Sequence, residues 1–101
     1  MVHVIATIRV KPGCMPQFLE IFKSNIPTVL KETGAVEYRP TVDLDTGLPR
    51  QVLDADTIVL IEKWSSLDAL RNHLVTPHML AYREKVKDIV TGTSLRILQD
   101  A

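Results

Sequence analysis

The chain has 101 residues, 46% of them apolar and 24% charged, and its 12 basic and 12 acidic side chains cancel. That length and balance fit one globular domain over residues 1–101, and the absence of a basic stripe or like-charge run argues against nucleic acid or an anionic membrane as partner. The single Cys14 cannot close an internal disulfide, and the chain shows neither a signal-peptide pattern at its start nor an apolar run long enough to span a bilayer, which points to the cytoplasm.

Residues 2–11, rich in Val and Ile, read as a first strand that Lys11-Pro-Gly13 stops. Pro16 then suits the first turn of a helix, where its missing N–H costs nothing. Met15, Phe18, Leu19, Phe22, Ile26, Val29 and Leu30 recur at three- and four-residue steps, giving one apolar face to about residue 32. Pro27 predicts a kink or local break, and Gly34 an end. Residues 35–42 read as a second strand in which Pro40 suggests an edge or bulge position. Residues 43–56, with Asp-Thr-Gly, Leu-Pro and Asp-Ala-Asp, form a long connection to a third strand over 57–64. Ser65-Ser66 can cap a helix with Asp68 in its first turn and an apolar stripe of Leu67, Leu70 and Leu74. Pro77 restarts a helix to about Asp88, with Leu80, Val86 and Ile89 on its apolar side. Thr91-Gly92-Thr93 breaks it, and residues 94–98 form a last strand.

The resulting order, β-α-β-β-α-β, is the ferredoxin-like α+β arrangement. In the third strand Ile58, Leu60, Glu62 and Trp64 share one face and Val59, Ile61 and Lys63 the other. Both faces are largely apolar, yet helices on one side cover only one of them. A second copy packed sheet against sheet would cover the other, which predicts a homodimer with His3 and Arg9 toward the partner.

Chemistry concentrates at the end of the third strand and just downstream. Trp64 lies beside Ser65-Ser66 on the face shared with Glu62, where an indole either packs in a core or walls a slot for a planar ring. His73 serves either as a satisfied core histidine or as an acid–base group, since imidazole titrates near neutrality. His78, directly after Pro77, is placed to cap or anchor the helix start. The two histidines are five apart, about 140° around a continuous helix, and Pro77 interrupts the helix between them. With no i, i+4 pair and no Cys cluster, the spacing gives no metal site. Glu62 on a buried strand requires a partner, with Arg83 or a backbone donor as candidates. Tyr38 either packs in the core or donates to a ligand oxygen. No base accompanies Cys14, and no phosphate loop, Ser-His-Asp spacing or nucleotide fingerprint occurs, so an enzyme built on this chain works without a bound nucleotide cofactor.

Four pieces in this order, Ile8-Arg-Val-Lys-Pro-Gly13, Gly34-Ala-Val-Glu-Tyr38, Glu62-Lys-Trp64, and Ala69-Leu-Arg-Asn-His73 running on to Thr76-Pro-His78, resemble the antibiotic biosynthesis monooxygenase domain family, which includes quinol monooxygenases. The resemblance covers nearly the whole chain. It implies a dimeric α+β barrel with a pocket between sheet and helices in each protomer. It further implies oxidation of an aromatic phenol or quinol by O₂ without metal or flavin, the deprotonated substrate passing an electron to O₂ directly. Under it Trp64 walls the slot, His73 accepts the proton, Tyr38 orients the ligand, and Leu60, Glu62 and His78 complete the substrate-binding set. Leu60 stands roughly where some phenol oxidisers carry a carboxamide, and Ala6 where haem-degrading relatives carry an Asn. A non-catalytic binding module on the same fold is the alternative reading, and haem breakdown a third.

Overall fold

A Val- and Ile-rich start and an apolar third strand pair in the centre of one sheet. The computed structural model describes residues 1–101 and orders the elements as β1 (Val2–Val10), α1 (Met15–Leu30), β2 (Ala35–Thr41), β3 (Thr57–Trp64), α2 (Leu67–Leu74), α3 (Pro77–Val86) and β4 (Val90–Leu98). The strands lie in the order β2-β3-β1-β4, and every neighbouring pair is antiparallel. This is the ferredoxin-like α+β topology, with the second helical segment split in two. Pro40 sits on β2, an outer strand, where a missing N–H is tolerated.

Period-two alternation decides the faces. Val4, Ala6, Ile8 and Val10 of β1, with Ile58, Leu60, Glu62 and Trp64 of β3, are buried toward the helices. Phe18, Phe22 and Val29 of α1 pack on them with Leu70, Met79 and Val86 from the shorter helices. The opposite sheet face carries Ile5, Thr7, Val59 and Ile61, each half-buried with no helix above.

Three expectations change and a fourth is narrowed. The helix α1 runs through Pro27 as one element to Leu30. Leu67 and Leu80 are exposed, and the inward faces of α2 and α3 are formed by Ala69, Leu70 and His73 and by Met79 and Val86. The cap of α3 is Thr76, its Oγ1 accepting from the Met79 N–H, whereas His78 anchors the helix start through Thr76 Oγ1 and Glu32. The last strand begins at Val90, and Gly92 pairs with Arg9 inside it, beside a register shift at Arg9/Val10. A glycine without a side chain fits such a bulge, so it marks an irregularity in the ladder and not a stop.

Two turns position the chemistry. Gly34 follows α1 with φ +85°, a conformation that suits glycine, and its carbonyl accepts from the Ser65 N–H at 2.8 Å. A Cβ there would lie 2.5 Å from Ala69 Cβ and 2.6 Å from Ser65 Oγ, so the absent side chain is what seats α2 against the end of α1. Ser66 accepts from the Ala69 N–H to start α2. Residues 43–56 contain no helix or strand; Asp43 accepts from the Asp54 N–H, and Thr46 pairs with Gln51, so the connection folds on itself.

Candidate active site

Between the sheet and the helices lies a cavity of about 370 Å³, within the usual range for small-ligand sites. The sheet supplies Ala6, Ile8, Tyr38, Leu60 and Glu62, and the helices supply Phe22, His73, Leu74, Met79 and Tyr82. Arg83, Lys87 and Thr93 are the other polar residues of its lining. A mostly apolar lining with a few scattered polar groups suits a weakly polar ligand.

His73 projects from the last turn of α2 and is 2% exposed. Its Nδ1 lies 2.8 Å from Glu32 Oε2. Tyr38 meets the ring edge-on at 5.4 Å between centroids, and Trp64 packs across it at 4.6 Å. Burial lowers the imidazole's basicity, and the Glu32 carboxylate opposes that effect. With Nδ1–H donating to Glu32, the neutral ring has Nε2 left for a ligand in the cavity. This is the orientation a carboxylate imposes on a general base.

Glu62 finds neither Arg83 nor a backbone donor, contrary to the expectation above. Its Oε1 accepts from Trp64 Nε1–H at 2.9 Å, two residues along the same strand. Burial pushes this carboxyl up to about 7; the indole bond pulls the other way, and the nearby Glu32 charge adds to the rise. Tyr38 stacks on Phe22 at 5.4 Å and 12°. Its phenol is held well above the ordinary value, first by burial and then by the Glu62 charge, so it enters the cavity as a neutral donor. Burial likewise keeps Tyr82 protonated.

The structure thus brings His73, Tyr38, Leu60 and Glu62 to one cavity and leaves two expected residues outside its lining. Trp64 is fully buried and does not wall the slot; it lies behind, holding Glu62 through its N–H and His73 through its ring. His78 lines a separate surface hollow with Ser24 and Asn25, and its Nε2 lies 2.9 Å from the same Glu32 oxygen.

Glu32, Tyr82 and Arg83 are site residues that the sequence reading did not assign. Glu32 lies 41 residues before His73, and neither periodicity nor motif spacing connects them. The 140° separation holds only for a continuous helix; the break at Val75 and Thr76, ahead of Pro77, lets both imidazoles turn to one carboxylate, a convergence that spacing does not show. Glu32, His73 and His78 each offer one ligand atom, all within 4.8 Å of one another, so they are the residues that could hold a metal ion.

The family model for antibiotic biosynthesis monooxygenase matches residues 1–85. The chain is 46% identical over 101 residues to a protein of Escherichia coli (strain K12) named "Probable quinol monooxygenase YgiN", covering 98% of this chain and 97% of that one. A Shigella flexneri protein of the same name matches equally well. Among solved structures, a conserved protein from Methanosarcina mazei Go1 superposes with a TM-score of 0.84 at 22% identity, over 99% of this chain and 92% of its own. Rv0793 from Mycobacterium tuberculosis gives 0.81 at 25%, over 99% and 94%. With the family model spanning most of the chain and a relative of this identity along nearly all of it, the protein belongs to the antibiotic biosynthesis monooxygenase family.

Proposed function

We propose that this protein oxidises an aromatic phenol or quinol with O₂ as a cofactor-independent monooxygenase. The observation that carries this reading is His73, buried in the lining of a mostly apolar cavity with its Nδ1 on Glu32. Such a ring accepts a phenolic proton at Nε2, and Glu32 stabilises the imidazolium that results. The phenolate, held in a largely apolar slot, becomes electron-rich enough to reduce O₂ by one electron, and the radical pair recombines at a ring carbon. For a quinol the balance closes: one oxygen atom replaces a ring C–H with C–OH, the other leaves as water, and the quinol becomes a hydroxyquinone. Four electrons reach O₂, two from the quinol and two from the ring carbon.

Leu60 and Phe22 contact the ring plane, Tyr38 donates to the substrate oxygen, and Glu62, raised to about 7, accepts the second phenolic proton in its carboxylate form. Trp64 and His78 act from outside the cavity by positioning Glu62, His73 and Glu32. The quinol named for the Escherichia coli relative supports this class of substrate. We further propose that the protein works in the cytoplasm as a single-domain homodimer, the uncovered Ile5, Val59 and Ile61 face meeting its copy. No helix is long and apolar enough to cross a membrane.

The test is oxygen uptake with a hydroquinone under air. Uptake well above autoxidation, lost in His73→Ala, supports the reading. Uptake indistinguishable from the protein-free rate, with the hydroquinone still bound, sinks it in favour of a binding module.

A further inference from the structure

We propose that Glu32, His73 and His78 form a binding site for a zinc-type transition-metal dication, set behind the cavity. The three come from separate places in the fold: the turn after α1, the last turn of α2 and the first turn of α3. Their ligand atoms, Glu32 Oε2, His73 Nδ1 and His78 Nε2, nonetheless lie within 4.8 Å of one another. Two imidazole nitrogens and one carboxylate oxygen suit zinc, cobalt or nickel, whereas calcium and magnesium take oxygen donors.

The local framework is fixed. Thr76 Oγ1 donates to the His73 carbonyl at 3.0 Å and accepts from the Met79 N–H, tying the end of α2 to the start of α3. On the other side Gly34 locks the turn that follows Glu32. The carboxylate is mostly buried, at 11% side-chain exposure, yet no lysine or arginine pairs with it. Its ionic partners are the two imidazoles alone, at 2.8 and 2.9 Å. A buried carboxylate needs ionic or hydrogen-bonding partners, and both of these are groups that can exchange a proton for a metal.

The distances describe the proton-filled form. Ligand atoms on one tetrahedral zinc stand about 3.3 Å apart, given bonds of about 2.0–2.1 Å. Opening the two contacts by about half an ångström, and bringing the two imidazole nitrogens from within 4.8 Å to the same spacing, admits the ion. His78 can supply that movement, since its side chain is 23% exposed and lies in the first turn of its helix. Three protein ligands leave a fourth position for water.

One consequence rests on the proposed oxidase reading. With Nδ1 on the metal, neutral His73 carries its proton on Nε2 and cannot take one from a substrate. Metal occupancy then switches the base off.

The experiment uses tag-free, chelator-stripped protein titrated with Co²⁺, followed by its visible d–d bands and by competition with Zn²⁺. One Co²⁺ per chain is expected, displaced by Zn²⁺. Loss of an outer-shell partner alone typically costs 10–100-fold in metal affinity, so His78→Asn and Glu32→Gln should each weaken binding by at least about a hundredfold. His3→Ala, at the only other histidine, should leave it unchanged. The site is refuted by absent bands, by binding that survives both ligand substitutions, or by binding that vanishes in His3→Ala. Oxygen uptake measured in parallel should fall as the metal binds. Stoichiometric cobalt without any uptake in the stripped protein would leave the site standing and remove the oxidase reading; uptake without cobalt binding would do the reverse.

Discussion

Trp64 donates its indole N–H to Glu62, the one acid on its own strand, across 2.9 Å. Both side chains are buried, Trp64 completely and Glu62 at 5% exposure, and only the acid reaches the cavity. The indole therefore acts on an acid of the cavity without lining the cavity itself.

Removing that donor while keeping an aromatic ring should raise the Glu62 carboxyl further, because the indole bond is the main influence opposing burial. Trp64→Phe is expected to cost about 1–3 kcal/mol through the lost hydrogen bond and volume. Carboxyl NMR titration of Glu62 with a urea melt checks both effects. An unmoved midpoint would show that the bond contributes nothing in solution.

Glu62 should also make stability fall with pH. Its carboxyl is raised from 4.5 to about 7 in the folded state. Across that window the folded chain holds a proton that the unfolded chain has released, so unfolding becomes easier as pH rises. Above about 7 the loss is complete, on the order of 3 kcal/mol. Glu62→Gln should therefore melt higher than the parent at pH 8 and show no such advantage at pH 4. Thermal unfolding at both pH values decides it.

The proposed base gives a kinetic expectation. His73→Ala should lower kcat for hydroquinone oxidation by about 10²–10⁴-fold with a smaller change in KM. Glu32→Gln should lower it less, since Nε2 remains while the ring loses its anionic support. Equal KM and kcat effects in the two variants would indicate a binding role.

Gly34→Ala should destabilise by about 1–3 kcal/mol, because φ +85° is unfavourable for alanine and its Cβ would meet Ala69 and Ser65. Gly13→Ala is the contrast: its φ is +79° but nothing lies within 4 Å of the added carbon. The difference between the two melting temperatures isolates the close approach from backbone strain.

If the open sheet face meets a second copy, Ile61→Glu at its centre should yield a monomer by sedimentation. A parent protein that sediments as a monomer would overturn the dimer directly.

Much of the fold was legible because alternation and helical periodicity are local. The even residues of β1 and β3 could be assigned to one face, and Ser66, Gly34 and Pro77 announced the helix boundaries. Gly92 misled because a glycine reads as a breaker when its strand partner is unknown. The cavity was half legible: Tyr38, Leu60, Glu62 and His73 converge, but Glu32 could not be found from a separation of 41 residues. Trp64 illustrates the remaining gap. Residue type and strand position brought it to the site, while which side of Glu62 it would occupy depended on how α2 packs against the sheet.

Glu32 meets His73 and His78 only across intervals of 41 and 46 residues, and both imidazoles sit on the short helices α2 and α3. Fraying around Val75 and Thr76 would return the carboxylate to water while the four strands stayed paired. The carboxylate's two partners are thus held by the Thr76 tie between α2 and α3 and not by the ladder of the sheet, so a substitution at Thr76 would open the cluster and leave the strand pairing untouched.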